Sequence, residues 1–265
     1  MGRRILSDDE VERYHRDGWV TPDYRLPDEL YTEFKTVIED LIASNPGIRP
    51  EQLVGAHVAG DRSSGIKGKP RLLELAQSPD LLDMVEQLIG PDVIMWGSQV
   101  FSKKSGDGLA IPWHQDGQYW PIRPLASVTV WIAIDASTVE NGCLRVVPGS
   151  HRNGLLKHEV SGAADVALDQ GLAAGTFDET TAADVELQPG QVSLHHVNVV
   201  HGSNPNHSTK RRCAYAIRYM PATSLFDRAI PPVRLAGNQT IDYSERPIWL
   251  VRGRDQAGND FVRGH

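Results

Sequence analysis

The stretch from residue 93 to residue 219 limits the fold most strongly. It divides into short runs of β-branched and aromatic residues separated by glycine and proline. The runs predicted as strands are Val93–Phe101, Val128–Ile134, Leu144–Val147, Gln191–Leu194, Asn198–His201 and Ala214–Tyr219. Short, closely spaced strands are typical of a β-sandwich or barrel, so we expect a mainly β protein.

The residues before this stretch show helical periodicity instead. Apolar residues recur at spacings of four and three, as in Leu30, Phe34 and Val37. The predicted helices lie near residues 7–17, 28–43 and 79–89. Ser7 and Glu10 form a capping box at the start of the first one. We expect these helices to buttress the barrel.

Two segments are predicted as loops within one domain. Gly55–Lys69 carries four glycines with serines and charged residues, which indicates a mobile loop. Gly154–Glu186 is weakly hydrophobic and is interpreted as an insertion over one end of the barrel. We expect a single domain over residues 1–265, with a helical part at about 1–90, a barrel core at about 91–220 and a C-terminal extension at 221–265.

Composition restricts the kind of partner. The formal net charge is -7 and the basic residues are scattered, which disfavours nucleic acid and anionic membranes and leaves a small molecule as the expected partner. Cys143 and Cys213 are the only cysteines and lack CxxC spacing, so neither a thiolate metal site nor a disulfide framework is indicated. With no long apolar stretch, we expect a cytoplasmic protein. The sequence does not address the oligomeric state.

His114 and Asp116 form the first chemical signal. In an extended backbone, side chains at i and i+2 point to the same face, so both can bind one metal ion. His201 follows another short predicted strand and can supply a third ligand, with His195, His196 and His207 as competitors. Two imidazoles and one carboxylate leave open coordination positions, an arrangement typical of non-haem iron(II) oxygenases.

Four segments in fixed order extend this pattern. They are Trp113-His114-Gln115-Asp116, Val130-Trp131-Ile132-Ala133, the run from Asn141 to His151, and the run from His201 to Asn206, with Arg212 behind the last. Together they resemble the phytanoyl-CoA dioxygenase family of iron(II)- and 2-oxoglutarate-dependent oxygenases, which includes ectoine hydroxylase. The resemblance spans roughly residues 93–220. It implies a double-stranded β-helix, a jelly-roll or cupin-like barrel with the metal at one mouth.

The same resemblance implies roles for individual residues. It makes His114, Asp116 and His201 the iron ligands, and it assigns Arg212 to the distal carboxylate of 2-oxoglutarate. A guanidinium suits that role because its planar fork matches a carboxylate and stays charged. Ser203 is expected to add a hydroxyl to this carboxylate.

Other residues are candidates for the lining of the site. By resemblance, Gln99 and Thr129 are candidates for polar contacts with 2-oxoglutarate, and Lys103 lies on the same face of its strand as Gln99. Trp120, with Tyr119 and Trp113, is a candidate wall of the substrate pocket that could hold a cationic group over a ring. All of these residues can instead be ordinary strand or packing residues.

The expected function is that of a dioxygenase that uses iron(II), 2-oxoglutarate and dioxygen. We expect hydroxylation of a small polar metabolite or natural-product intermediate, with release of succinate and carbon dioxide. Desaturation or cyclisation by the same cofactors is an alternative. A zinc-dependent hydrolase and a non-catalytic jelly-roll binding protein are alternatives from other classes.

Overall fold

The computed structural model describes residues 2–60, 65–160, 170–234 and 240–265. Its helices are α1 (Asp8–Asp17), α2 (Asp28–Ser44), α3 (Arg71–Ala76) and α4 (Pro79–Ile89). Its strands are β1 (Trp19–Val20), β2 (Leu53–Val54), β3 (Val93–Lys103), β4 (Ile111–His114), β5 (Ile122–Arg123), β6 (Val128–Ala133), β7 (Leu144–Val146), β8 (His158–Val160), β9 (Gln170–Leu172), β10 (Ala183–Val185), β11 (Val192–His196), β12 (His201–Ser203), β13 (Arg212–Pro221), β14 (Leu225–Phe226), β15 (Val233–Arg234), β16 (Thr240–Ile241) and β17 (Trp249–Arg252).

Two antiparallel sheets form the barrel. The larger has the order β1-β11-β6-β13-β3-β17, with β2 also paired to β3, and the smaller has the order β10-β7-β12-β4. Their inner faces pack together through Trp131 and Ala216 of the larger sheet and Leu144 and Val146 of the smaller. The fold is mainly β and has the expected jelly-roll architecture.

The central strand β13 separates the inside of the barrel from the helical layer. Alternate residues of a strand face opposite sides, and Tyr215 and Ile217 belong to the cluster that includes the helices. Phe34 of α2 lies 5.9 Å from Tyr215, measured between ring centroids. Each fully buried side chain of this size contributes about 1.5–3 kcal/mol to stability. The helices therefore buttress the outer face of the larger sheet.

Most of the predicted elements are present. The three predicted helices correspond to α1, α2 and α4, and the Ser7 and Glu10 capping box is present at α1. The predicted strand Asn198–His201 is wrong, because residues 197 and 198 form a turn and β12 begins only at His201. The short helix α3 was not predicted.

The segments outside the predicted core also contribute strands. β1 and β2 from the N-terminal part, and β17 from the C-terminal extension, all join the larger sheet. In the predicted insertion, residues 161–169 lie outside the described residues, and β10 near its end joins the smaller sheet. In the predicted loop Gly55–Lys69, residues 61–64 also lie outside them, while His57 and Ile66 are buried. The strands of the barrel therefore come from a longer part of the chain than residues 91–220.

Candidate metal centre and cavity

Two histidines lie side by side on neighbouring strands of the smaller sheet. β12 begins at His201, β4 ends at His114, and the two residues are direct partners in the antiparallel register. Directly opposed residues project to the same side of a sheet, and the two ring centroids are 4.2 Å apart. Strand pairing alone therefore brings the first and third predicted ligands together.

The orientation of both rings leaves the same nitrogen free. His114 Nδ1 lies 2.9 Å from the carbonyl oxygen of Pro112, and His201 Nδ1 lies 3.0 Å from that of Val199. Because a carbonyl oxygen only accepts, each Nδ1 donates its hydrogen, which leaves Nε2 as the ring nitrogen that can bind a metal. Burial lowers the pKa of His201 to about 3, so this ring is neutral and available to a metal at physiological pH.

Asp116 completes the group just beyond the end of β4. Gln115 has an extended backbone, and Asp116 starts a 3-10 turn, with Oδ1 3.6 Å from His114 Nε2. One ligand atom from each of His114, Asp116 and His201 lies within 4.8 Å of the other two. Burial raises the pKa of the Asp116 carboxyl, but the interaction with His114 and the nearby cationic groups lower it overall. Two imidazoles and an ionised carboxylate match the donor set of a divalent iron site.

The turn that carries Asp116 is held from two sides. A Cβ atom at Gly117 would lie 2.5 Å from Asn198 Oδ1 and 2.6 Å from Leu125 Cδ2, so any larger residue there would have to displace these side chains. Gln115 Nε2 donates to the carbonyl oxygens of Gly154 and Asn198, and Gln115 Oε1 accepts from Leu156 N. The start of the predicted insertion is therefore fastened directly to the candidate metal centre.

A cavity of about 890 Å³, including its open mouth, lies between the sheets and contains the three candidate ligands. Eight of the predicted site residues line it: His114, Asp116, His201, Ser203, Thr129, Gln99, Tyr119 and Trp120. Thr129 Oγ1 is buried and has no hydrogen-bond partner among the described residues. The cavity thus has a polar hydroxyl group available to a bound molecule.

Arg212 lies behind the cavity wall. Its side chain is 1% exposed, donates to the carbonyl oxygens of Gly142 and Phe101, and has its guanidinium 5.3 Å from the ring centroid of Trp131, which lines the cavity. Burial lowers the pKa of Arg212 to about 10, so the group remains cationic at neutral pH. Arg212 is buried beside the site and does not itself line the described cavity.

Lys103, predicted as a lining residue of the substrate pocket, lies at the same end as Arg212 and is not among the residues that line the described cavity. It shares the face of Gln99 on β3, but the strand runs past the cavity before it reaches residue 103. Nζ donates to the carbonyl oxygens of Ser203 and Asn204, and burial, assisted by Arg212, lowers the pKa of Lys103 to about 6. Lys103 therefore holds the chain that follows β12.

The predicted aromatic wall is divided between two faces. Tyr119 and Trp120 line the cavity. Trp113 is not among the cavity-lining residues, because it alternates with His114 along β4, and it lies 5.2 Å from the guanidinium of Arg145. Trp113 therefore lies outside the described cavity, whereas the other two predicted aromatic residues line it. The cation over the Trp120 ring is the protein's own Arg218, at 5.1 Å.

The sequence did not single out Arg218 or Tyr243, which also line the cavity. Arg218 lies six residues after Arg212 on β13, so even spacing on a strand was a usable signal. Tyr243 comes from the C-terminal extension, and no local pattern indicates it. His195, considered as a competing ligand, lies in the cavity with Nε2 3.9 Å from Asp116 Oδ2, but it is not part of the converging group.

A jelly-roll barrel with two imidazoles and one carboxylate converging in a buried cavity defines the class of non-haem iron oxygenases. The chain belongs to the phytanoyl-CoA dioxygenase family, whose family model matches residues 4–214. It is a 2-oxoglutarate-dependent non-haem iron dioxygenase, which removes the zinc hydrolase as an alternative.

Relatives and solved structures agree with this assignment. The chain is similar to an L-proline trans-4-hydroxylase of Streptomyces griseoviridis, with 28% identity over 239 residues that cover 82% of this chain and 87% of the relative. It is also similar to a probable phytanoyl-CoA dioxygenase of Caenorhabditis elegans, with 26% identity, 96% of this chain and 94% of the relative. The structure of a non-heme monooxygenase, ThoJ, matches with a TM-score of 0.70 and 26% identity, covering 93% of this chain and 85% of ThoJ.

A further structure, CytC3, matches with a TM-score of 0.67 and 24% identity over 97% of this chain and 93% of CytC3, and it supports the fold. Within the described residues, no helix is long and apolar enough to cross a membrane.

Proposed function

We propose that this dioxygenase hydroxylates a small polar metabolite or natural-product intermediate, with iron held by His114, Asp116 and His201. The observation that carries the proposal is the convergence of these three donor groups within 4.8 Å inside the cavity between the two sheets. Bound iron would couple the oxidative decarboxylation of 2-oxoglutarate by dioxygen to the oxidation of a substrate C–H bond. The products are then the alcohol, succinate and carbon dioxide.

The role of the protein is to position two molecules and to exclude water. Arg212, Ala214, Ala216 and Arg218 share the inner face of β13 because they lie at alternate positions. The small side chain of Ala216 leaves room in the cavity, and Arg212 lies behind Trp131 at one end of it. We assign Arg212 to the distal carboxylate of 2-oxoglutarate on this basis. We assign Ser203 to the same carboxylate because it lines the cavity and its carbonyl oxygen accepts from Lys103, the direct partner of Arg212.

Thr129 and Lys103 are consistent with this assignment in different ways. The unpartnered hydroxyl of Thr129 faces the cavity and can donate to a carboxylate oxygen. A lysine whose pKa is about 6 is mostly neutral at pH 7, so Lys103 adds little charge beside Arg212. Gln99 already donates to the Glu51 carbonyl oxygen and accepts from Arg218, which favours a role in holding Arg218 over direct contact with 2-oxoglutarate.

Asp116 favours oxygenation. Its carboxylate occupies a place in the coordination sphere that a halide would otherwise need. Desaturation and cyclisation use the same ligands and are separated from hydroxylation only by the product. The name of the Streptomyces griseoviridis relative, a proline hydroxylase, supports hydroxylation of a small metabolite here.

The first experiment tests for the cofactor complex without turnover. Iron(II) and 2-oxoglutarate are added without oxygen, and we expect a weak visible charge-transfer band that requires both. Candidate substrates are then screened for stimulated succinate formation, with mass spectrometry of the product. No band in the wild-type protein would refute the ligand assignment, and a product 2 Da lighter than the substrate would replace hydroxylation by desaturation or ring closure.

A further inference from the structure

Arg218 is a buried cation in the wall of the same cavity, with few acceptors of its own. Its side chain is 9% exposed, and Nη2 donates to Gln99 Oε1 at 3.1 Å. Nε has no hydrogen-bond partner among the described residues. A guanidinium has five N–H donors, and a buried one normally has acceptors for them. The unfilled donors therefore point to a ligand that accepts.

The guanidinium is nevertheless held in a fixed position. Its central carbon lies 5.1 Å from the ring centroid of Trp120 and 5.9 Å from that of Trp96. Gln99 fixes one edge, and Gln99 Nε2 is itself bound to the carbonyl oxygen of Glu51 at 3.1 Å. Such support fixes a functional group before its ligand arrives, which lowers the entropy cost of binding.

Arg218 belongs to a polar row that crosses the larger sheet. It is the direct partner of Thr129 on β6, and Thr129 is the direct partner of His195 on β11. His195 in turn lies beside Asp116. Arg218 therefore faces the metal-centre side of the cavity.

The distance between Arg218 and Arg212 indicates that the two guanidinium groups bind different acceptor groups. They lie six residues apart on β13, which places their Cα atoms about 20 Å apart. One 2-oxoglutarate carboxylate cannot reach both. If Arg212 takes the distal carboxylate of the co-substrate, the acceptor for Arg218 is a different group, either the carboxylate of 2-oxoglutarate at the metal or an anionic group of the substrate.

The protein itself offers Arg218 little compensating charge. Burial lowers the pKa of Arg218 and Arg246 adds to this effect, whereas Asp116 and Tyr243 oppose it. Asp116 makes no ion pair with Arg218 in the described structure and is, under the proposed function, committed to iron. A buried cation without a partner is costly, so a bound anion is favoured.

We propose that Arg218 anchors the substrate, and that the substrate carries a carboxylate which the guanidinium binds on the metal side of Trp120. This inference rests on the proposed function and adds the substrate class to it. A carboxylate matches the planar fork of arginine. Val54, Tyr119, Trp120 and Tyr243 also line the cavity, and they pack in one apolar cluster with the tryptophans over which Arg218 lies. This cluster suits an apolar carbon skeleton.

The test uses the full chain saturated with nickel(II) and 2-oxoglutarate, which cannot turn over and has its co-substrate position filled. Calorimetric titrations compare L-proline with L-prolinamide, phenylacetate with phenylacetamide, and cyclohexanecarboxylate with its carboxamide. For wild type, we expect at least one carboxylate to bind, and to bind at least tenfold more tightly than its amide.

Arg218→Met should reduce that preference to less than threefold, since methionine fills the space between the tryptophans without a charge. Arg218→Lys, which keeps the charge and loses the fork, should give an intermediate preference and serves if the methionine variant does not fold. Arg145→Met is the matched control, because Arg145 also lies over a tryptophan ring but outside the cavity. It should leave the preference unchanged.

The inference is overturned if no carboxylate binds, if the amides bind equally well, or if both Arg218 variants keep the wild-type preference. It is also overturned if the Arg218 variants lose 2-oxoglutarate affinity by more than threefold, because Arg218 would then serve the co-substrate. A wild-type protein that fails to bind nickel(II) and 2-oxoglutarate marks failure of the proposed function instead, and the inference fails with it.

Discussion

Replacing Arg212 with glutamine should weaken 2-oxoglutarate binding by about a hundredfold. Arg212 is 1% exposed, so a carboxylate paired with it is desolvated and cannot be rescued by water. Removing one partner of a buried, hydrogen-bonded charge pair costs about 2–5 kcal/mol. Taking about 3 kcal/mol, and about 1.4 kcal/mol per factor of ten, gives a loss of about two orders of magnitude.

The same substitution also has a structural cost that must be separated from binding. Arg212 donates to the carbonyl oxygens of Gly142 and Phe101, and each lost bond costs about 1 kcal/mol of stability. The assay is therefore an anaerobic titration of 2-oxoglutarate into the iron(II) protein, followed by the charge-transfer band, at a temperature well below the midpoint of unfolding. Titration measures affinity in the folded fraction alone.

Arg211→Gln is the matched control. Arg211 is adjacent in sequence but points away from the cavity, with Nη2 2.5 Å from Glu39 Oε1 and Nε 2.7 Å from Asp135 Oδ2. It should lower the melting temperature and leave 2-oxoglutarate affinity unchanged. An Arg212→Gln affinity within threefold of wild type would refute the assignment of Arg212 to the co-substrate.

Three other changes test the site and its support. Asp116→Ala should weaken iron(II) binding at least tenfold and remove the charge-transfer band, because it removes the only charged residue of the proposed ligand set. An anaerobic titration with iron(II) measures the affinity. An unchanged affinity would refute the ligand set. Gln115→Ala removes three hydrogen bonds between the Asp116 turn and its neighbours. The free energy of unfolding should fall by about 3 kcal/mol, which lowers the melting temperature measured by calorimetry by about 6–10 °C. A shift under 2 °C would show that the insertion is not fastened there.

The third concerns His57, whose pKa is lowered to about 3 by burial and by the charges of Arg246 and Arg218. Because the unfolded chain binds this proton near pH 6.5 and the folded one does not, stability falls as pH drops below 6.5, by about 1.4 kcal/mol per unit. In His57→Asn, the free energy of unfolding from urea titrations should fall less steeply between pH 6.5 and 5 than in the wild type, by about that slope. Equal slopes for the two proteins would contradict the prediction.

The sequence predicted those parts of the protein that local spacing determines. The i and i+2 positions of His114 and Asp116, and the three- and four-residue periodicity of α2, depend on backbone geometry close to the residue, so they could be read directly. His201 could be selected only through its surroundings in the motif. The register that places His201 opposite His114 is a long-range property of the sheet, and the structure supplies it.

Other features could not be read because distant segments decide them. The backbone at Asn198 has apolar neighbours typical of a strand, but its carbonyl oxygen accepts from Gln115 and its side chain meets Gly117, so it forms a turn. Tyr243 reaches the cavity from a part of the chain with no recognisable pattern. The place of Lys103 beyond the cavity depends on how far β3 extends, which periodicity does not determine.

Strand β13 connects these observations, because its alternation assigns separate tasks to its two faces. Tyr215 and Ile217 bind the helical layer, and substitutions there should change stability first. Arg212 and Arg218 stand at opposite ends of the inner face with alanines between them, so the proposed recognition of co-substrate and of substrate would share one rigid element. Because about 20 Å separates these arginines, residue 218 can change without disturbing residue 212. On the proposed assignments, substrate choice can therefore change through position 218 while Arg212 and the three proposed metal ligands stay fixed.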